Sequence, residues 1–550
     1  MNYTRLIRNI RQYANGWLIM SVAAAAMVLL PLLAIALSIF FAPNENWIHI
    51  TQYMVRDYVI QSVWLVLFTG AATTAVGGLL AWLIAAYDFP LKSFFRWALM
   101  LPLAVPPYIA AFTYGYMLSY TGVVQTTLRS WGIEPDQAWF DILSLPGAVF
   151  IFTMFLYPYV YLITRAFLER QCGSYIENAR LLGRSPLSIF LKVVLPLSRP
   201  ALAGGVTLVA FEVLSDYGVA NYYGIQTFTT AIFKTWFGMY DIDSATRLAA
   251  WFMLCIVFVM LLERLLRRRR RYSATTGRYS PLFPKRLGGV SAALATLLCS
   301  VVLLLSFIFP VGQLLVWASW TFHDVAFTAN FGLLTYNTVK VALIATALVM
   351  VFSVIVANTS RMLNNTVGIA LAKTMTIGYS IPGAIIAIGV LSLFIALDRQ
   401  LASLYRSLGW GESPLVLSLS LFMLIFAYVI RFMATGYNAV DSGFEKIGTK
   451  FAESARLLGL GMTRTFFKVD LPLIRGSLAG GIILTFVEVV KELPLAMLLR
   501  PFNFDTLSTK AYQYAGDERI FSAAVPSLAI ICVSLASILL FHQLGKEVRS

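Results

Sequence analysis

Charge is scarce in this sequence: only 12% of its 550 residues are Asp, Glu, Lys or Arg, while 59% are hydrophobic. A water-soluble domain carries about 25% charged residues, so a soluble enzyme or soluble binding module is excluded. Cysteine and histidine are nearly as rare. The four cysteines (Cys172, Cys255, Cys299, Cys532) and three histidines are scattered, with no CxxC spacing. That excludes a disulfide framework, a thiolate metal site and an imidazole cluster. A phosphate-cradling Gly-x4-Gly-Lys-[Ser/Thr] loop is missing as well: the single Gly-Lys pair, Gly545-Lys546, is followed by Glu547, so this chain does not hydrolyse ATP by that fold.

What the sequence has instead is apolar runs of membrane-crossing length, since roughly 20 residues of helix span about 30 Å of hydrocarbon. Twelve spans are expected, near 17–41, 58–86, 97–119, 146–167, 202–219 and 245–264, then 288–319, 333–358, 372–397, 415–437, 477–499 and 521–544. The first, Trp17 to Phe41, is too long for a signal-peptide core and is read as a retained span. The net charge of +16 raises nucleic acid as a partner, but no basic domain interleaved with aromatics exists to hold one. The basic residues cluster by loop. With the N-terminus in the cytoplasm, 30 of 42 fall on the inner side, among them Arg5, Arg8, Arg11 and the dense run Arg267–Arg271. The positive-inside rule therefore places both termini in the cytoplasm.

One internal repeat organises the chain. Glu177-Asn-Ala-Arg-Leu-Leu-Gly183 returns as Glu453-Ser-Ala-Arg-Leu-Leu-Gly459, an offset of 276 residues. The register extends to Pro106 and Pro382, Leu195-Pro196 and Leu471-Pro472, Gly204-Gly205 and Gly480-Gly481, Glu212 and Glu488, and Thr227-Phe228 and Asn503-Phe504. A parallel duplication implies two pseudo-equivalent six-helix bundles with a site at their interface. The expected division is a first half at 1–264, a basic cytoplasmic linker at 265–287 and a second half at 288–550.

The motif Glu-x-Ala-x3-Gly-x11-Leu-Pro resembles the EAA loop of type I, binding-protein-dependent ABC importer permeases. Both copies match, with Asn178 and Ser454 in place of the usual middle alanine. The fold expected from this resemblance is an all-α integral membrane protein of about 12 transmembrane helices in two pseudo-symmetric halves. Each loop is then expected to seat a helix on one of two copies of a separate ATPase subunit, through Glu177, Ala179, Gly183 and Glu453, Ala455, Gly459. The small alanines allow close approach, the glycines turn the chain, and Pro196 and Pro472 start or redirect the next segment. ATP and Mg²⁺ belong to those partners; no covalent cofactor is expected, and this subunit is not itself an enzyme.

After each loop comes a pair of acids inside an apolar run: Glu212 and Asp216, then Glu488 and Glu492. Spacing of four puts each pair on one helical face. A mid-bilayer charge costs roughly 2.5–3.5 kcal/mol even on the lenient scale, so the acids are expected to face a wet path or a partner. Oxygen donors alone favour a hard cation, making these four candidate Fe³⁺ contacts on a transport path. A second reading stays open, in which Glu488 pairs with Lys491 structurally and the rest line a gate. Glu212-Val-Leu-Ser-Asp-Tyr-Gly218 with Gly224-Ile-Gln-Thr-Phe-Thr-Thr230, and Val487-Glu-Val-Val-Lys-Glu-Leu-Pro494 with Leu499-Arg-Pro-Phe-Asn-Phe-Asp-Thr-Leu-Ser-Thr509, are similar to the ferric-iron branch. That resemblance implies a bacterial inner-membrane importer taking iron from a periplasmic ferric-binding protein by alternating access. Thiamine permeases are near relatives, and an ion-coupled secondary transporter is the rival from another class. Outer segments carrying Thr227, Phe228, Asn503, Phe504 and Asp505 are expected to dock the binding protein or gate the path. Pro102, Pro106-Pro107 and Pro382 are expected to break the third span of each half.

Overall fold

The computed structural model describes residues 16–134, 136–171, 173–268, 282–326, 329–363, 365–409 and 415–547. Arg5, Arg8, Arg11, Cys172, most of the expected linker (269–281, with Arg269–Arg271) and Arg549 lie outside the described residues. Among the described residues, eleven helices are long and apolar enough to cross a membrane, and one bent pair makes a twelfth. In chain order they are α1 Gly16–Ser38, α2 Val55–Ala86, α3 (Lys92–Ala104 with Pro107–Met117), α4 Leu145–Glu169, α5 Phe190–Ser215 and α6 Ile242–Leu261. The second half follows with α7 Gly289–Ala326, α8 Asn330–Leu363, α9 Gly383–Ser407, α10 Leu421–Ile447, α11 Met462–Lys491 and α12 Ile520–Leu540. Helix is the form that satisfies every backbone group without water, and large side chains such as Leu33, Phe68 and Leu343 remain exposed on the outside as lipid contacts.

Each expected span is present, with informative shifts in its limits. The prolines break the third span of each half. Pro106, extended at φ −58° and ψ 139°, separates two parts of α3 that meet at 91°. In the second half, Pro382 parts the helix Thr366–Ser380 from α9. The spans expected at 202–219 and 477–499 start earlier and stop sooner, at Ser215 and Lys491. Each contains a five-residue π-helical segment, Phe190–Val194 and Phe466–Asp470. Leu195-Pro196 and Leu471-Pro472 follow these segments directly, where proline's missing N–H is absorbed by the wider turn.

The halves are interleaved rather than side by side. The first span of each half reaches across to the other: α1 lies against α8, α9 and the Thr366–Ser380 helix as well as α6, and α7, packed mainly on α12 of its own half, also touches α3. Gly389 of α9 permits the closest approach, since a Cβ there would stand 2.9 Å from the Pro31 carbonyl oxygen and 2.5 Å from Ile35 Cδ1. Ser21 Oγ in α1 donates to Thr359 Oγ1 in α8 at 2.9 Å, and the Tyr114 hydroxyl in α3 donates to the Leu305 carbonyl in α7. One hydrophobic core consequently runs through both halves. The chain leaving the linker is pinned too: Lys285–Arg286 pairs in parallel with Tyr87–Asp88 at the end of α2.

Candidate functional site

The C-terminal ends of α5 and α11 meet at the proline break of α3, around a cavity of about 100 Å³. Glu212, Ser215 and Asp216 enter it from the first half, and Glu488, Lys491 and Glu492 from the second; Arg431 of α10, Phe155 and Tyr159 of α4, and Pro106–Tyr108 complete the wall. All four sequence-predicted acids thus line one space between the halves. That space has room for a few waters and is polar enough to keep them.

The acids are not four equivalent ligands. Glu212 and Glu488 sit on helix, but both helices end one residue before the second acid. Asp216 and Glu492 adopt extended backbone (ψ 132° and 123°), so the expectation that each pair shares a helical face is corrected. Their carboxylates cap the short helices that follow. Asp216 Oδ1 accepts from the Val219 N–H at 2.7 Å and the Ala220 N–H at 3.4 Å. Glu492 Oε1 accepts from the Leu495 N–H at 3.3 Å. These short helices, Gly218–Tyr222 and Pro494–Leu499, are fixed against the cavity floor, and capping by a carboxylate complements their orphan N–H groups.

Two cations answer the acids, and both come from the second half. Lys491 Nζ lies 3.0 Å from Glu488 Oε1, with the two side chains 18% and 37% exposed. The structural Glu488–Lys491 pair is therefore formed, and it lines the cavity as well. Arg431 is buried and its Nη1 donates to the Ile381 carbonyl, at the break before α9. The matched first-half positions, Phe155 and Ser215, line the cavity without charge. Arg431 escaped sequence reading although its signal was present: one arginine inside the apolar run from Leu421 onward, the kind of intramembrane charge that marks a site.

Among the described residues, no group of three or more His, Cys, Asp or Glu is arranged to hold a metal ion. Glu212, Asp216, Glu488 and Glu492, expected as Fe³⁺ contacts, therefore form no ready-made ligand set in this structure. Two of the acids are committed to helix caps and a third to Lys491, so they share a cavity without forming a metal cage.

At the opposite end of α5 and α11 lie the repeated loops. Their helices are Gly173–Leu181 and Lys450–Leu457. Gly183 and Gly459 end them in left-handed backbone (φ +68° and +87°). The following N–H groups close the turn, Arg184 onto the Ala179 carbonyl at 3.2 Å and Leu460 onto the Ala455 carbonyl at 3.1 Å. This is the glycine-terminated turn expected from sequence. Ala179 and Ala455 are buried against the chain's own body. The side chains turned outward are Leu181, Leu182, Leu457 and Leu458, 79–89% exposed. Glu177 is half-buried and Glu453 exposed. Each helix is tied to the end of a neighbouring span by its motif arginine: Arg180 to the Ala86 carbonyl at 2.9 Å, Arg456 to Met362 Sδ.

The outer segments need a correction of register. Thr227 caps Phe228–Phe233 in a reciprocal capping box with Thr230, and Thr506 caps Leu507–Gly516 with Thr509 in the same way. The Phe228 N–H donates to Ser62 Oγ, and the Leu507 N–H to Thr338 Oγ1. Thr227 therefore matches Thr506, an offset of 279, and the second half carries three extra residues here. Thr227 and Phe228 are buried, with Phe228 stacked on Phe252 at 4.9 Å; they hold a helix start and are not a docking surface. The extra residues form the exposed turn at Phe502 and Asn503 (φ +56°), braced by the Arg500–Asp505 ion pair, with Phe504 partly buried behind it.

Residues 74–272 and 350–550 match the family described as the inner membrane component of binding-protein-dependent transport systems. The chain belongs to this family. Two copies of the domain in one chain make it a fused, two-half ABC-transporter permease, a multi-pass inner-membrane protein. The permease is 23% identical over 463 residues to the Fe(3+)-transport system permease protein FbpB 2 of Haemophilus influenzae, covering 84% of each chain. It is 22% identical to the probable ABC transporter permease protein y4fN of Sinorhizobium fredii, over 97% of this chain and 96% of that one. A sulfate transport system permease protein, CysT of Salmonella typhimurium, is 27% identical over 35% of this chain and 68% of its own.

Proposed function

We propose that this permease is the membrane subunit of an ATP-driven importer that passes ferric iron from a periplasmic binding protein to the cytoplasm by alternating access. The observation that carries the reading is the convergence of Glu212 and Glu488, duplicated at one offset, on a single cavity between the halves. Carboxylate oxygens suit a hard trivalent cation, and the long match to a ferric-iron permease points the same way. The cavity's four acids outnumber its two bases, which disfavours sulfate, the cargo of a relative that matches only a third of this chain. Iron enters as cargo: three of its four candidate carboxylates are already engaged by Lys491 or by helix N–H groups, so its hold on them would be loose, as passage requires.

On this reading the paired leucines at 181–182 and 457–458 seat on two copies of an ATPase subunit. ATP-driven closure of that pair is transmitted through the Gly173–Leu181 and Lys450–Leu457 helices to α5 and α11. The repeated loops, the linker and both termini then face the cytoplasm, and the outer helices at Phe228 and Leu507 face the periplasm. Thiamine is the second cargo reading, favoured by one observation, the aromatic wall of Phe155, Tyr159 and Tyr108, since aromatic faces attract a cationic ring. The test is ATP hydrolysis by the reconstituted complex with its binding protein loaded with iron, thiamine or sulfate. Stimulation by the iron-loaded form alone is expected; stimulation by thiamine or sulfate and not by iron overturns the cargo assignment.

A further inference from the structure

A second, larger cavity lies far from the acids. It holds about 630 Å³ and is bounded by Trp17 and Met20 of α1, Met350, Val351, Val354 and Ile355 of α8, and Phe466, Phe467, Leu471 and Leu478 of α11. Met20, Val351 and Phe467 are about half exposed, so the cavity opens sideways, to where lipid lies. On α11 it runs from Thr463 to Leu478, about 22 Å at 1.5 Å per residue, the reach of one extended acyl chain. Its loop-side end is closed by an interfacial pair: Trp17 Nε1 donates to Thr463 Oγ1 at 3.0 Å, and the indole meets Phe466 edge-on at 5.1 Å. Tryptophan in such a place marks the headgroup level.

The exposed charges of α11 beside the groove are of one sign, while Asp470 is buried against Arg361. Arg464, Lys468 and Arg475 are exposed on the adjoining face of α11, and none has an ion-pair partner among the described residues. The first half does not reproduce the groove's rim: the position matched to Trp17 is Ala293, and those matched to Met350 and Phe467 are Thr74 and Leu191.

We infer that this groove is a binding site for one anionic phospholipid, its acyl chain laid between α1, α8 and α11 and its phosphate held by Arg464 and Lys468. The leaflet, the cytoplasmic one, follows from the orientation proposed above; the site itself does not depend on the cargo. A lipid seated here bridges the interleaved α1 to the π-helical segment Phe466–Asp470, which joins the Lys450–Leu457 helix to the acid-bearing end of α11. It therefore bears on one half of the transporter and not the other.

The test is native mass spectrometry of the full-length permease in its complex, titrated with phosphatidylglycerol or with phosphatidylcholine of the same chains. The wild type is expected to retain one phosphatidylglycerol about tenfold more tightly than phosphatidylcholine, the scale of attraction that basic residues near a membrane surface supply. R464Q/K468Q is expected to lose that preference while still binding lipid. V351W/V354W, which fills the groove, is expected to lose one bound lipid of either kind. Equal affinity for the two lipids in the wild type, an unchanged preference in R464Q/K468Q, or an unchanged lipid count in V351W/V354W would each overturn the site.

Discussion

Glu212 and Glu488 occupy matched positions but differ in what surrounds them. Glu488 has Lys491 at 3.0 Å, whereas Glu212 has no ion-pair partner among the described residues. A half-buried carboxylate without a partner is costly, and such local costs gather at functional sites. E212Q is therefore expected to raise the thermal midpoint of the purified complex slightly while abolishing iron uptake. A lowered midpoint with normal uptake would reverse this assignment. The Glu488–Lys491 pair, partly open to water, is expected to contribute at most about 1 kcal/mol in a double-mutant cycle followed by thermal unfolding. The acids were legible in the sequence because an acid in an apolar run is conspicuous. Their partners were less so: the backbone break after Ser215 and Lys491, which turns Asp216 and Glu492 into caps, leaves no trace in a four-residue spacing.

Among the elements, α8 and α11 carry a contact that the first half lacks. Arg361 Nη2 approaches Asp470 Oδ2 to 2.8 Å with side chains 9% and 1% exposed, charges in contact though not aligned as a hydrogen bond. The matched residues are Ala85 and Val194. Breaking a buried pair strands one charge and costs about 3–5 kcal/mol, while replacing both partners with apolar residues is often neutral. D470N is expected to destabilise by that amount, and R361M/D470L to recover most of it, read from unfolding of the complex. At the ends of α1 and α6 away from the repeated loops, Asp241 accepts from Asn44 Nδ2 at 2.7 Å, Asn46 Nδ2 at 2.9 Å and the Ser244 N–H at 3.1 Å. Burial alone would raise its pKa, but these hydrogen bonds outweigh burial and hold the carboxyl below its ordinary range. A depressed carboxylate stabilises the fold above its unfolded pKa, about 3.9, and the contribution fades as pH falls through the lower folded value. The clamp is thus expected to hold at mildly acidic pH and to loosen only below about pH 4, measurable as a drop in thermal midpoint that D241N no longer shows. Helices and their proline breaks were readable from hydropathy and proline positions. The π-helical segments and the three-residue slip of the outer helices were not, because both depend on how neighbouring spans set the backbone.

In the whole molecule, duplication was the strongest message of the sequence, and the exchange of first spans its weakest. A repeat establishes that two bundles exist; which bundle α1 joins is decided by packing such as that of Gly389 against Pro31 and Ile35. The interleaving carries a prediction. Chains 1–275 and 276–550 produced separately are expected to be unstable, each missing its partner's first span, and to form a stable complex when produced together. Independent folding of either half would show that the exchange is not needed.

The central claim is that the two halves present their acids to one cargo path. Its most direct measurement is uptake of radiolabelled ferric iron into proteoliposomes bearing the permease, its ATPase and its iron-loaded binding protein, with E212Q/E488Q set beside the wild type. Uptake at background by a variant complex that is fully assembled is the predicted result. Uptake at the wild-type rate would contradict the claim and leave an importer whose cargo passes elsewhere.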